Sequence, residues 1–225
     1  MTDSNGLHRE GLHDQVIHSI VIPEDVRQSG KPTNELVAEA VAFLHRDGIV
    51  VLENAIDTAH LDTLNALLSN EALELAADPD HHFNFGKETQ NMDQAPPPRR
   101  DLMFKDVWCN PCAAAVLAGI LGPRPVVHYA NGNTALQATG RQPVHSDCEF
   151  PHPTFPFAMV VNINLVETSA ENGGTEYGYF LSKYLVLCPP TCLNVQILFG
   201  HSELDYDAYF LLRSLLRCDT DSAIF

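Results

Sequence analysis

Basic residues are scarce in this chain of 225 residues. It has 13 Lys and Arg against 29 Asp and Glu, which gives a formal net charge of −16. A surface of this sign repels phosphate backbones, so we expect no nucleic-acid partner. Long apolar runs are also missing. None approaches the roughly 18 to 20 residues that a membrane-spanning helix needs, so we expect no membrane partner either.

The N-terminus lacks the apolar segment of a secretory signal peptide, because residues 1–14 are polar. A cytoplasmic protein with its six cysteines reduced is therefore the expectation. The sequence also contains no glycine-rich phosphate loop and no Gly-x-Ser-x-Gly nucleophile motif. These absences argue against the nucleotide-binding and serine-hydrolase classes that such motifs mark.

Cys109 and Cys112 have the C-x-x-C spacing of redox proteins. That motif normally follows a buried strand, whereas the segment before Cys109 is charged and helix-like. We interpret the two residues as thiols at the start of a helix that pack against the core. A four-thiolate zinc site that adds Cys188 and Cys192 is a weaker alternative, and it would predict zinc in the purified protein.

The first half of the chain reads as helices around one strand. Residues 1–30 are interpreted as a flexible N-terminal arm with a short strand within 16–22, and residues 31–225 as one domain. Thr33 or Asn34 caps a first helix that ends at Gly48, residues 49–52 form a buried strand, and Asp57 or Thr58 caps a second helix. A polar loop follows at 78–100, and residues 101–121 are helical in two pieces.

The second half changes to short strands separated by turns. Strands are predicted at 126–129, 134–138, 142–147, 157–165, 177–187 and 193–199, followed by a helix at 205–217. Helices followed by strands indicate an α+β fold with an antiparallel sandwich or barrel. The clearest strand is 157–165, because apolar and mixed positions alternate along it with period two.

Residues 142–147 read Gln-Pro-Val-His-Ser-Asp. On an extended chain His145 and Asp147 point to the same side, because strand side chains alternate with period two. One imidazole and one carboxylate are two thirds of the facial triad that holds non-haem Fe(II). His-x-Asp alone is a frequent coincidence, so the interpretation depends on its neighbours.

The neighbours agree with a known family. A helix, turn and strand at 43–52, the His-x-Asp stretch, the strand at 157–165 and the Glu-Asn-Gly-Gly-Thr-Glu turn at 171–176 follow one another. In this order they resemble the phytanoyl-CoA dioxygenase family, and its fungal secondary-metabolite branch in particular. The resemblance implies a double-stranded β-helix, a jelly-roll or cupin-like barrel with N-terminal helices. It also implies an Fe(II)- and 2-oxoglutarate-dependent dioxygenase that uses O2 to hydroxylate or desaturate a small apolar metabolite.

The resemblance also assigns residues. His145 and Asp147 would be iron ligands, and Gln142 and Thr175 would contact 2-oxoglutarate. In one alignment His201 is the third iron ligand. Arg213 then holds the far carboxylate of 2-oxoglutarate, a task that suits the guanidinium fork.

A second alignment, which we prefer, treats residues 177–196 as an insertion. Removing them would join the Gly-Gly-Thr-Glu turn to the Ile-Leu-Phe-Gly-His run at 197–201, as in the family. His201 would then match a histidine that is not a ligand, and the distal His and Arg would lie beyond Phe225. We interpret the insertion as an intron read through in frame, which transcript sequencing tests.

The barrel would be incomplete at its C-terminus. The alternative function is then a truncated, non-catalytic relative that serves as a binding or partner subunit, or has no function, and both a homodimer and a heterodimer stay open.

Overall fold

A computed structural model describes residues 17–143, 158–168, 172, 184–188 and 193–200 of the chain. Within them the helices are Glu24–Ser29 (α1), Asn34–Asp47 (α2), Thr58–Ala77 (α3), Lys105–Trp108 (α4) and Pro111–Leu121 (α5). The strands are Ser19–Val21 (β1), Ile49–Glu53 (β2), Asn91–Gln94 (β3), Val126–Ala135 (β4), Ala158–Asn164 (β5), Tyr184–Cys188 (β6) and Leu193–Gly200 (β7). The α+β class expected from the sequence is therefore observed. The helix predicted at 205–217 lies outside the described residues.

The helix ends follow local side-chain chemistry. The Thr33 side chain accepts a hydrogen bond from the backbone N–H of Leu36 at 3.3 Å, and Gly48 closes α2 in the left-handed region at φ 75°. The Asp57 carboxylate accepts from Ala59 N–H at 2.9 Å at the start of α3. Such caps satisfy the backbone groups that a helix end leaves without a partner. The predicted starts of both helices and the end of α2 are thereby confirmed.

The strands form one seven-stranded sheet with the order β1-β2-β6-β5-β7-β4-β3. The predicted antiparallel arrangement holds only for part of the sheet. β1 runs parallel to β2, and β6 runs parallel to both β2 and β5. The other pairs, β3 with β4 and β7 with β4 and β5, are antiparallel. Apolar alternation predicts that a strand forms, but it carries no information about which neighbour the strand meets or in which direction.

Two further boundaries differ from the prediction. The strands expected at 126–129 and 134–138 are one strand, β4, with an irregularity between Val127 and Tyr129. Gly132 lies within β4 and does not end it. The glycine allows close approach of β3, since a Cβ at position 132 would lie 3.2 Å from the Gln94 carbonyl oxygen. The loop expected at 78–100 contains β3, because tertiary pairing with β4 overrides its polar sequence.

The predicted N-terminal arm contains ordered structure. β1 and α1 both precede residue 31, and the side chains of Ile20, Ile22 and Val26 lie in the hydrophobic core. The folded part therefore begins earlier than the sequence indicated, since residues 17–30 bury apolar surface against the rest. Residues 1–16 lie outside the described part.

The helices cover one face of the sheet. Core residues on β5 are Met159, Val161 and Ile163, and they join apolar side chains of α2, α3 and α5. One buried polar clamp crosses this layer. The Gln94 amide donates to the Leu68 carbonyl oxygen and the Glu71 carboxylate, both at 2.9 Å, while its oxygen accepts from the Thr134 hydroxyl. This clamp ties α3 to the β3–β4 end of the sheet.

A double-stranded β-helix needs two sheets that face each other. All strands in the described residues belong to a single sheet, so the barrel stays a prediction. No helix in the described part is long and apolar enough to cross a membrane.

Candidate active site

Most of the residues that the sequence assigns to iron and 2-oxoglutarate fall outside the described part of the chain: His145, Asp147, Thr175, His201 and Arg213. Only Gln142 is described. It is half-buried and lies in an irregular segment after β4 rather than in the strand expected at 142–147. Residues 17–143, 158–168 and 172 hold no group of three or more His, Cys, Asp or Glu that suits a metal. Because the proposed ligands are elsewhere, this result leaves the iron assignment as a prediction.

The segment that leads from β4 to Gln142 is docked on an earlier loop. Leu136 N–H donates to the Gln90 carbonyl oxygen at 3.0 Å, and Gly140 N–H donates to the Glu88 carbonyl oxygen at 2.6 Å. These two bonds lie on the path from the end of β4 to the His-x-Asp stretch. The approach of the chain to the candidate site is therefore set by backbone contacts with residues 88–90.

That loop is braced from within. The Thr89 hydroxyl lies 2.6 Å from the Asn84 carbonyl oxygen and 2.8 Å from that of Gly86, and it is the acceptor for Asn91 N–H at 3.2 Å. Gln90 adopts the left-handed region at φ 48°, which non-glycine residues rarely do. The contacts that hold Thr89 stabilise this unusual turn. Its carbonyl groups at Glu88 and Gln90 accept the hydrogen bonds from Gly140 and Leu136.

Side-chain amides extend the bracing into the sheet. The Asn84 amide donates to Asn91 at 2.9 Å and to the Asp93 carboxylate at 2.8 Å. Asn91 in turn donates to the side chain of Asn133 on β4 at 2.7 Å. The loop, β3 and β4 are thus one hydrogen-bonded unit.

Asn131, Asn133, Asn162 and Asn164 lie on the sheet face opposite the helices. They alternate along β4 and β5 with residues of the helix-facing core, such as Ala130. Asn162 is 2% exposed and Asn164 is 9% exposed. Buried carboxamides are normally hydrogen-bonded. The β5 part of this face is therefore buried and carries two carboxamides beside Val160, whereas Asn131 and Asn133 on β4 are partly exposed.

The sheet register places these positions in two rows. Asn131 is aligned with Gln196 of β7, which is aligned with Asn162. In the next row Asn133 and Asn164 flank position 194, another asparagine. No sequence motif singles out these residues, although the Asn-x-Asn and Asn-x-Gln spacing in three strands is visible in the sequence. The missing information was that the three strands are neighbours in register.

His128 lies on β4 at the irregularity between Val127 and Tyr129. Its side chain is half-buried, and burial lowers the pKa of the imidazole below its ordinary value. Desolvation has this effect because it penalises the charged form. His128 is therefore neutral at physiological pH.

A second histidine has a structural role. His60 Nδ1 lies 2.8 Å and 2.9 Å from the two carboxylate oxygens of Asp106, and its ring stacks on Phe104 at 4.0 Å between centroids. Asp106 also accepts from Asp57 N–H at 2.9 Å. These contacts join the first turn of α3 to α4. The sequence offered no signal for this pair, since its members are 46 residues apart.

Cys109 and Cys112 agree with the interpretation as packed thiols. Both are buried thiols. Burial raises the pKa of the Cys112 thiol to about 11, which makes it a poor nucleophile at neutral pH. Asn110 caps α5 by accepting from the N–H groups of Cys112 and Ala113, both at 3.0 Å. A redox function of this C-x-x-C pair has no support.

The sequence model of the phytanoyl-CoA dioxygenase family matches residues 44–177. This range covers more than half of the chain. The chain belongs to the phytanoyl-CoA dioxygenase family. The match includes Gln142, His145, Asp147 and Thr175, and it stops before His201 and Arg213. Members of this family are dioxygenases with a cupin-like fold, generally dependent on Fe(II) and 2-oxoglutarate, so the family predicted from the sequence is confirmed.

Proposed function

We propose that this chain is an Fe(II)- and 2-oxoglutarate-dependent dioxygenase that hydroxylates or desaturates a small, largely apolar metabolite in the manner of the fungal secondary-metabolite branch. The observation that carries the proposal is the family match over residues 44–177, because the matched range includes the His-x-Asp stretch. In this proposal the partners are the metabolite and O2, the protein acts in the cytoplasm, and it is a monomer or a dimer.

The donor types at the proposed site suit the metal. A neutral imidazole and a carboxylate, as in His145 and Asp147, are the ligands that Fe(II) takes in two-histidine, one-carboxylate sites. Bound there, the iron would supply O2 activation coupled to oxidation of the keto acid. Open coordination positions are part of this ligand set, since it uses only three protein groups.

The other assigned residues would hold the co-substrate. The Gln142 amide can donate a hydrogen bond to a carboxylate, and the Thr175 hydroxyl can do the same from the later turn. Arg213 would pair with the second carboxylate through two parallel N–H groups if the alignment through His201 is correct. The described structure supports the first of these roles, because Gln142 is half-buried and its approach is set by the contacts of residues 136–140.

The end of the family match favours the second candidate function. The match stops at residue 177, where the proposed insertion 177–196 begins. If His201 and Arg213 do not complete the site, the protein would hold iron weakly and would act as a binding or partner subunit. Residues 177–196 nevertheless contribute β6 and part of β7 to the sheet.

Anaerobic titration of the purified protein with Fe(II) and 2-oxoglutarate tests the proposal. We expect a weak visible charge-transfer band that saturates at about one equivalent, in line with a single metal site. His145→Ala should abolish the band, whereas His152→Ala, a neighbouring histidine with no assigned role, should retain it. A protein that gives no band, or a band that survives His145→Ala, would contradict the oxygenase proposal.

His201→Ala distinguishes the two alignments. If His201 is the third ligand, this variant loses the band as His145→Ala does. If the band is retained, His201 is not a ligand and the first alignment is excluded. A weak or absent band in both the parent protein and the variant is the result expected for the non-catalytic relative.

A further inference from the structure

Two rows of carboxamide residues cross the sheet face opposite the helices. One row runs from Asn131 on β4 through position 196 of β7 to Asn162 on β5. The other runs from Asn133 through position 194 to Asn164. Positions 194 and 196 are Asn and Gln, so all six positions of these carboxamide rows are carboxamide residues. Aligned residues of neighbouring antiparallel strands have Cβ atoms roughly 5 Å apart, so a small ligand can meet more than one of them.

Exposure falls along both rows from β4 to β5. Asn131 and Asn133 are half-buried, whereas Asn162 is 2% exposed and Asn164 is 9% exposed. Next to Asn133 the second row continues to Asp93 on β3, which is exposed to solvent. A polar path therefore leads from the exposed edge of the sheet towards its buried strands, on the side away from the helix-packed core.

The β4 end of the carboxamide rows has unused hydrogen-bonding capacity. Asn133 Oδ1 accepts from the Asn91 amide at 2.7 Å, which holds the Asn133 oxygen on the side of β3. Within the described residues, no group accepts from the Asn133 amide and none bonds to the Asn131 carboxamide. A carboxamide has two N–H donors and one acceptor oxygen, and buried ones are normally satisfied. These half-buried groups are therefore available to a ligand.

The charge of the rows limits the chemistry of that ligand. Carboxamides are uncharged, and Asn162 and Asn164 at the buried end lie beside the apolar Val160. A charged group of a ligand would lose its hydration there against residues that offer it no counter-charge. An uncharged group with a donor and an acceptor side by side, as in the N–H and C=O of a lactam, can pair with carboxamides through both atoms.

We propose that the carboxamide rows bind an uncharged lactam group carried by the largely apolar substrate. The lactam N–H would donate to Asn131 Oδ1, and its carbonyl oxygen would accept from the Asn133 amide. The inference rests on the proposed function in one respect, since it takes this ligand to be the substrate of the oxygenase. Binding to the rows needs neither iron nor 2-oxoglutarate, so metal-free protein is used to measure it.

Saturation-transfer NMR on metal-free protein compares δ-valerolactam with N-methyl-δ-valerolactam. The first compound presents an N–H beside its C=O, and the second lacks the donor. We expect δ-valerolactam to bind and the N-methyl compound to bind about 5-fold more weakly, which is the effect of one lost hydrogen bond. Equal binding of the two compounds, or no binding of δ-valerolactam, would overturn the inference.

Asn131→Leu and Gln94→Leu form a matched pair of variants. Both replace a carboxamide of this sheet by an apolar group, but Gln94 lies on the helix side, where it donates to the Leu68 carbonyl oxygen. Asn131→Leu should fold, because the native side chain makes no hydrogen bond within the described residues. It should weaken δ-valerolactam binding by about 5-fold. Gln94→Leu should lower the melting temperature and leave lactam affinity at the parent value.

The ratio of the two affinities separates recognition from a general effect on the fold. Asn131→Leu should bring this ratio close to one, since it removes the oxygen to which the lactam N–H donates. A proportional loss of both affinities in Asn131→Leu, parent-like affinities in that variant, or an equal loss in Gln94→Leu would overturn the inference.

The anaerobic titration keeps the two proposals distinguishable. A protein that binds δ-valerolactam selectively and gives no charge-transfer band supports the lactam site and contradicts the oxygenase function. A protein that gives the band and does not distinguish the two lactams retains the oxygenase function and overturns the lactam site.

Discussion

On the helix side of the sheet, β5 buries Met159, Val161 and Ile163 among apolar side chains of α2, α3 and α5. On the other side, the same strand buries Val160 together with the carboxamides of Asn162 and Asn164. Alternation with period two makes such a division possible, because successive side chains of a strand face opposite ways. One side of β5 therefore supplies apolar burial, and the other presents hydrogen-bonding groups in an enclosed place.

The two sides of β5 serve different purposes, stability on the helix side and recognition on the other. Apolar burial on the helix side stabilises the domain, since each square ångström of apolar surface removed from water contributes on the order of 25 cal/mol. Buried carboxamides contribute little net stability, because they exchange hydrogen bonds with water for hydrogen bonds within the protein. Enclosed polar groups that add little stability are more readily explained by recognition than by folding. The polar face is therefore the side on which we expect the chemistry of this family member.

The largest expected effect comes from emptying the helix side. Ile163 is fully buried, so Ile163→Ala should lower the free energy of unfolding by roughly 2–5 kcal/mol, through lost burial and the cavity left behind. Urea unfolding measures this loss. Val126→Ala removes methyl groups at a residue that is 41% exposed and should change stability by about 0.5 kcal/mol or less. If Ile163→Ala lowers the free energy of unfolding by no more than Val126→Ala does, the helix layer is not the main source of stability.

A smaller effect is expected where a polar group lies on the apolar side. Gln94 is 1% exposed, and Gln94→Leu would leave the Thr134 hydroxyl without its acceptor. We expect a loss of about 1–3 kcal/mol, the cost of an unsatisfied buried polar group. Asn133→Ala removes the hydrogen bond that Asn133 accepts from the Asn91 side chain on the opposite face, at a half-exposed position, and should cost about 0.5–1 kcal/mol in the same denaturation assay. The reverse order would contradict the distinction between the two faces.

The smallest effect depends on pH. Burial on the helix side raises the pKa of the Cys112 thiol to about 11 from an ordinary value of 9.0. Between these values the unfolded chain releases this proton while the folded protein keeps it. The free energy of unfolding should therefore fall as pH rises through this window, by on the order of 1 kcal/mol at pH 10.

Cys112→Ala isolates that contribution. The variant should lose stability less steeply than the parent protein above pH 9, whereas groups common to both proteins cancel in the comparison. Chemical denaturation at pH 8, 9 and 10 measures the two slopes. Identical slopes would show that the surroundings of Cys112 are wetter than its burial indicates.

Much of the fold was readable because its causes are local. Thr33 and Asp57 cap helices through hydrogen bonds from amides three and two residues away, so the sequence alone predicts where α2 and α3 begin. The strand β5 was predicted for the same reason, since its alternation is a property of neighbouring residues. The family, too, was recognisable from short motifs in order, and the match over residues 44–177 confirms it.

What the sequence by itself determined is therefore the helix ends, the clearest strand, the family and the identity of the candidate ligands. Only the tertiary structure decided that β6 lies between β2 and β5, that β4 is one strand, and that carboxamides of separate strands share a row. It also decided that Gly140 docks on Glu88, a contact between residues 52 positions apart in the chain. The physical reason is that strand pairing and backbone approach join distant segments, whereas capping and alternation depend only on residues a few positions apart.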